Sequence, residues 1–157
     1  MMKTRNHAEC ILHFPSWPEN KNVARGKPAY QSSTLGPNVA SRGVDGNDDT
    51  DLSHGSCFHT QSACNNWWYV DLGQTYETVR LIEVFSRADC CADRNKNIAV
   101  QIGTSLGNLE QVWFWSEQLW EYEFVYFDEN KVVRYVKLVH TANTPFHLCE
   151  IKVKADI

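Results

Sequence analysis

No long hydrophobic run exists in this chain. Its longest apolar stretches, Trp113-Phe114-Trp115 and Phe124 to Phe127 among them, are strand-sized and far short of the about 20 residues that cross a bilayer as a helix, so membrane insertion is not expected. Clustered positive charge is missing too. The net charge is −4, and Lys152 and Lys154 are among the closest basic pairs, which leaves no footprint for nucleic acid. Internal repeats and low-complexity tracts are absent, which excludes solenoids and disordered tails of biased composition. No window of about 12 residues carries a helical stripe with caps, which argues against a helical bundle. No Asn-x-Ser/Thr acceptor occurs, since Asn143-Thr144-Pro145 breaks the pattern. The opening Met1 to His7 lacks an apolar core of signal-peptide length, so a signal has been removed, lies outside this chain or never existed.

With 157 residues, 43% of them hydrophobic, the chain is expected to form one soluble domain. Residues 1–21, with Pro15 and Pro18 and no sustained period, read as an irregular N-terminal extension, and 22–157 as the domain itself. From Trp67 onward, short segments are rich in β-branched and aromatic residues: Trp67 to Leu72, Val79 to Phe85, Ile98 to Ile102, Val112 to Trp115, Trp120 to Phe127, Val132 to His140 and Glu150 to Val153. In the sixth, Arg134, Val136, Leu138 and His140 alternate with Val133, Tyr135, Lys137 and Val139, so both faces carry apolar residues, as in a sandwich. The expected fold class is all-β. Trp67, Trp68, Trp113, Trp115 and Trp120 fall mostly in these segments and are read as core, although such rings also stack on sugars and bases. The first 60 residues read mainly as loops, which on a sandwich commonly carry function.

Six cysteines, Cys10, Cys57, Cys64, Cys90, Cys91 and Cys149, suit disulfides in an oxidising compartment, which favours a secreted protein. Zinc is the rival reading, because His54, Cys57, His59 and Cys64 fall within eleven residues and all are competent ligands. The spacing lacks C-x2-C knuckles, however, and zinc would leave Cys90-Cys91 unexplained. Val44 to Asp51 packs four Asp and one Asn around Gly46, an oxygen-rich composition that fits either a solvated acidic turn or a calcium site. It is no EF-hand, since Thr50 and Ser56 stand where that motif needs Gly and Glu.

The segment Arg87-Ala88-Asp89-Cys90-Cys91-Ala92-Asp93-Arg94 is the hardest to explain as ordinary structure. Adjacent Cα atoms lie about 3.8 Å apart whereas disulfides prefer about 4.4–6.8 Å, so a Cys90–Cys91 bond would be strained. Strain of that kind clusters at working sites. The pair would present a small apolar surface with a guanidinium on either side, and His59 could add an imidazole, a set able to grip vicinal hydroxyls. Taken singly, His59 fits a structural residue, and Arg87 and Arg94 fit exposed salt bridges to Asp89 and Asp93 worth about 0–1 kcal/mol.

Together these residues resemble the F-type lectins, the fucose-binding fucolectin family. The resemblance runs from about Asn22 to Asp156. It rests on Asn22 to Ala29 with Gln31-Ser32-Ser33, on Val44-Asp45-Gly46-Asn47, on His54 to His59, on Trp67 to Gly73, on Arg87 to Arg94 and on Leu148-Cys149-Glu150-Ile151. A His followed by R-x-D-x4-R/K is the specific signature. The opening alone is shared with discoidin and coagulation-factor domains.

The resemblance implies a jelly-roll β-sandwich, of the galactose-binding-domain-like kind, that binds terminal α-L-fucose through His59, Arg87 and Arg94. Fucose has an axial hydroxyl beside an equatorial one and a methyl group, so donors must meet one edge while an apolar surface, here Cys90 and Cys91, meets another. Asp89 would hold Arg87 or Arg94 in place. Calcium would be structural, bound by Asp45, Asn47, Ser56 and Glu150 with backbone oxygens of Arg42 and Cys149. Cys57 would pair with Cys149 beside it, closing a loop worth about 4–5 kcal/mol in the chain-entropy account, and Cys10 would pair with Cys64. Implied partners are fucosylated glycans and glycoproteins, microbial polysaccharides among them, and homo-oligomers would add avidity. Leu52 and Ser53 replace aromatics of the family's loop, and the Gln61 to Cys64 segment adds a cysteine, so the methyl pocket and the extended-glycan preference are expected to differ.

Two other classes of function compete with a lectin. A glycosidase needs two positioned carboxylates, for which the acids of Asp45 to Asp51 are the candidates, yet these suit a metal or a turn. A discoidin-like membrane- or protein-binding module needs apolar spikes at its loop tips, for which Phe58 and Leu52 are the candidates.

Overall fold

A computed structural model describes residues 20–157. Among these residues there are seven strands: β1 (Asn20–Asn22), β2 (Ala29–Gln31), β3 (Asn66–Ser86), β4 (Ile98–Gly103), β5 (Glu110–Trp115), β6 (Tyr122–His140) and β7 (Leu148–Asp156). All pairings are antiparallel, in the order β1-β7-β3-β6-β4-β5, with β2 also on β3. The architecture is a jelly-roll β-sandwich.

Two expected pairs of short segments are each one long strand, and this builds the sandwich. The first half of β3 pairs with β2 and the second half of β6, while its second half pairs with β7 and the first half of β6. Along β3, Asn66, Trp68, Val70 and Leu72 point inward, and beyond polar residues 73–77 the inward set is Val79, Ile82, Val84 and Ser86. The step from Val79 to Ile82 changes phase because β3 spends one extra residue against β7 there, a bulge that bends the strand from one layer into the other. Gly73, at φ 82°, begins the turn-like stretch in the left-handed region open to glycine.

Both layers contribute to one core, centred on Trp68, Phe58, Phe146, Leu72, Ile82, Leu138 and Ile151. The tryptophans divide differently from the expectation. Trp68 is fully buried and its Nε1 donates to Ala40 O at 2.9 Å. Trp67 and Trp115 are half-buried, while Trp113 and Trp120 are 49% and 79% exposed. Trp113 stands on β5, the edge strand of the sheet, and Trp120 lies in the connection before β6 rather than in a strand. Among the described residues, no helix is long and apolar enough to cross a membrane.

Candidate functional site

The candidate site rests on a strand-like pairing of residues 56–60 with 146–150, the start of β7 and the two residues before it. Phe58 N donates to Leu148 O at 3.0 Å and Thr60 N to Phe146 O at 2.9 Å. That register sets Ser56 opposite Glu150, Cys57 opposite Cys149 and His59 opposite His147. Cys57 and Cys149 are disulfide-bonded, and the rings of His59 and His147 lie 5.0 Å apart. Side chains alternate across such a pair, so His59 and His147 share the face of the disulfide while Ser56 and Glu150 share the opposite one.

His59 is buried and its Nδ1 lies 2.7 Å from Thr60 O. A carbonyl can only accept, so Nδ1 carries the hydrogen. Burial and the nearby Arg87 and Arg94 guanidiniums hold the ring below the ordinary imidazole range, which leaves a lone pair on Nε2. His59 is thus an acceptor beside two cationic donors. His147, fully buried, is pushed down to about 3, chiefly by burial and then by His59 and both arginines.

The two arginines arrive on the loop between β3 and β4. Arg87 forms a forked ion pair with Asp89, Nε to Oδ1 at 2.8 Å and an Nη to Oδ2 at 2.9 Å. Asp89 also accepts from Leu52 N at 3.1 Å, and the arginine holds its carboxyl down to about 2. Of the two arginines that Asp89 could hold, it is therefore Arg87. The Arg94 guanidinium has no hydrogen bond or ion pair among the described residues, while its backbone oxygen accepts from His140 Nε2 at 2.6 Å. Between the arginines, Cys90 and Cys91 are bonded to each other, with Cys91 at φ 62°. This vicinal ring is exposed at Cys90 and half-buried at Cys91. The site therefore offers an imidazole acceptor, two guanidiniums and a small sulfur surface.

Across the same strand pair lies the acidic loop. It is a ladder of side-chain turns: Asn47 N donates to Asp45 Oδ1, Asp49 N to Asn47 Oδ1, Asp51 N to Asp49 Oδ1 and Ser53 N to Asp51 Oδ1, each at 2.9–3.1 Å. Beneath it, Glu150 is fully buried, with Oε1 accepting from Gly46 N at 3.1 Å and Oε2 without a partner. Burial and the charge of Asp45 push its carboxyl up to about 8. An unpartnered buried carboxylate oxygen beside buried Ser56 and an oxygen-rich loop fits a hard cation. Among the described residues no three His, Cys, Asp or Glu side chains group as metal ligands, so carbonyl, amide and hydroxyl oxygens would supply much of any shell.

The zinc and discoidin-like rivals lose residues they would need. The zinc set is not assembled, because Cys57 is committed to Cys149. Phe58 is fully buried against Trp68 and Phe146, so it is no loop-tip spike. Leu52 is half-buried, and its backbone N donates to Asp89. Cys64 is exposed, and its expected partner Cys10 lies outside the described residues. His147, Asn95 and His140 were not foreseen as parts of the site. Only the pairing of 57–60 with 146–149 brings the first of them to His59.

Comparison with known proteins agrees with this geometry. The family description NedA-like, galactose-binding domain matches residues 42–138. A fucolectin of Anguilla anguilla is 32% identical over 153 residues, covering 91% of this chain and 96% of that protein. The chain belongs to the fucolectin family. Among solved structures, the lectin domain of lectinolysin complexed with Lewis B antigen superposes with a TM-score of 0.78 at 38% identity, over 85% of this chain and 95% of that one. An F-lectin (fucolectin) from the serum of Morone saxatilis, striped bass, gives 0.81 at 33% identity, over 87% of this chain and 49% of that one. These fucolectin relatives are lectins and carbohydrate-binding modules, not enzymes.

Proposed function

We propose that this fucolectin binds terminal α-L-fucose on glycans, through His59, Arg87 and Arg94 with the Cys90–Cys91 ring as the apolar contact. The observation that carries the reading is the convergence on His59: one neutral ring feels both guanidiniums, and its Nε2 is left as an acceptor. A sugar hydroxyl can donate to Nε2 while accepting from an arginine, which neighbouring hydroxyls on one ring edge satisfy together. Asp89 holds Arg87 before the ligand arrives, which reduces the freedom lost on binding. Kinship with proteins named as fucolectins and fucose-binding modules supports the same sugar.

Calcium would be held structurally by Asp45, Asn47, Ser56 and Glu150 with backbone oxygens of Arg42 and Cys149, neutralising the buried Glu150 carboxylate. The disulfides fit a secreted protein, with residues 22–157 as the recognition domain. Work on fucosylated glycoproteins or microbial polysaccharides, in innate recognition or adhesion, would draw on avidity from homo-oligomers, since linked sites gain about 10²–10⁴. The test is retention on immobilised L-fucose with elution by free L-fucose and not by D-galactose; passage straight through the column would contradict the assignment.

A further inference from the structure

The loop that carries both arginines is closed by one buried side-chain bond. Ser86 directly precedes Arg87 and Asn95 directly follows Arg94, and Asn95 Nδ2 donates to Ser86 Oγ at 2.8 Å. The same Nδ2 donates to His147 O at 2.7 Å. All three residues are essentially fully buried. Both ends of the loop also rest on one segment, with Ser86 N donating to Glu121 O and Leu119 N to Asn95 O, each at 2.8 Å.

We infer that the Ser86–Asn95 bond is a clasp that fixes the separation of the two guanidiniums, which makes Ser86 and Asn95 positioning residues for sugar recognition. The inference rests on the fucose-binding reading. Neither residue reaches the sugar; they act through Arg87 and Arg94. Arg87 has a second restraint in Asp89. Arg94 has no side-chain partner among the described residues, so its placement depends on its backbone, which the clasp and His140 Nε2 hold. Asn95 also joins this loop to the His59 side of the site, because its other acceptor is the backbone of His147, the residue opposite His59. An amide suits that junction, since one NH2 group supplies both donors.

The experiment is a double-mutant cycle read by titration with L-fucose. Ser86→Ala removes only the acceptor oxygen, Ser86→Thr keeps it, and Arg94→Lys replaces the rigid fork with a point charge. Ser86→Ala is expected to weaken fucose binding roughly three- to tenfold, the size of one net hydrogen bond, with Ser86→Thr close to wild type. In the Arg94→Lys background the Ser86→Ala loss should vanish. The Arg94 Nε–Hε resonance should also broaden in Ser86→Ala. An unchanged affinity in Ser86→Ala would overturn the clasp while leaving the sugar reading intact. A loss of equal size with and without Arg94→Lys would overturn it as well, by assigning Ser86 to general stability. Absence of fucose binding by the wild type would be a failure of the proposed function. The resonance then decides, and an Arg94 signal insensitive to Ser86→Ala would reject the clasp.

Discussion

The acidic loop and the arginine loop touch, through Ala88 N to Thr50 O and Leu52 N to Asp89, yet they hold their shapes by opposite means. The acidic loop is largely self-built, a ladder in which each acceptor serves the residue two positions on. The arginine loop borrows its order from outside: from residues 119–121, from His140, from Asn95 and through that to His147. A self-built loop depends on its own residue types. A borrowed one transmits any change in the strands beneath it, and it is the borrowed loop that carries Arg87 and Arg94, the proposed sugar contacts.

The largest effect should come from the bond beneath both loops. Replacing Cys57 and Cys149 with alanine should cost about 4–5 kcal/mol in denaturant unfolding, the entropy of a loop this long. It should also weaken fucose binding, because the same register sets His59 against His147. Full affinity at reduced stability would show that the hydrogen bonds of 57–60 to 146–149 hold that register alone. Next, Arg87→Ala should lower fucose affinity by about 10² or more, since several charge-assisted hydrogen bonds worth about 1.5–3 kcal/mol each are lost, with an unchanged circular dichroism spectrum. Removing calcium should lower the melting midpoint. At a hundredfold excess over Kd, a cation bound only to the folded state contributes about 2.7 kcal/mol, and Glu150→Gln should abolish that response.

How much of this was legible in the sequence depended on whether partners were near in the chain. The strands beyond Trp67 followed from alternation, and the acidic loop from its Asp and Asn spacing. The continuity of β3 across Gly73 to Glu77 did not, because Trp67 to Leu72 and Val79 to Phe85 read as separate segments while one strand bends through the stretch between them. Trp113 and Trp120 misled because aromatic enrichment does not tell an edge strand, or the loop before a strand, from a covered one. The signature residues His59, Arg87 and Arg94 stood out by type and order, whereas Asn95 and His147 are ordinary residues that pairing 52 positions apart makes special.

Acid sharpens the comparison further. His59 is held below its ordinary value in the folded protein, so unfolded chains take up the proton first, and the stability owed to the neutral ring is complete above about pH 6.5 and erodes below it. Protonation also removes the Nε2 acceptor. Fucose affinity should therefore be flat above pH 6.5 and fall several-fold at some point beneath it, a decline that His59→Gln would abolish. An affinity unchanged from pH 7.5 down to the onset of acid unfolding would deny the acceptor role. The smallest effect belongs to the self-built loop. Asp49→Ala removes one rung and the partner of His54, so it should cost less than about 1 kcal/mol and leave fucose affinity within about twofold. A tenfold loss would mean that the two loops are one unit.

The most direct measurement is isothermal titration of the calcium-loaded protein with L-fucose, with D-galactose as the matched control. Saturable heat with fucose and none with galactose is the predicted result. No heat with fucose, from a protein whose melting curve shows it folded, would contradict the assignment of His59, Arg87 and Arg94 as a fucose site.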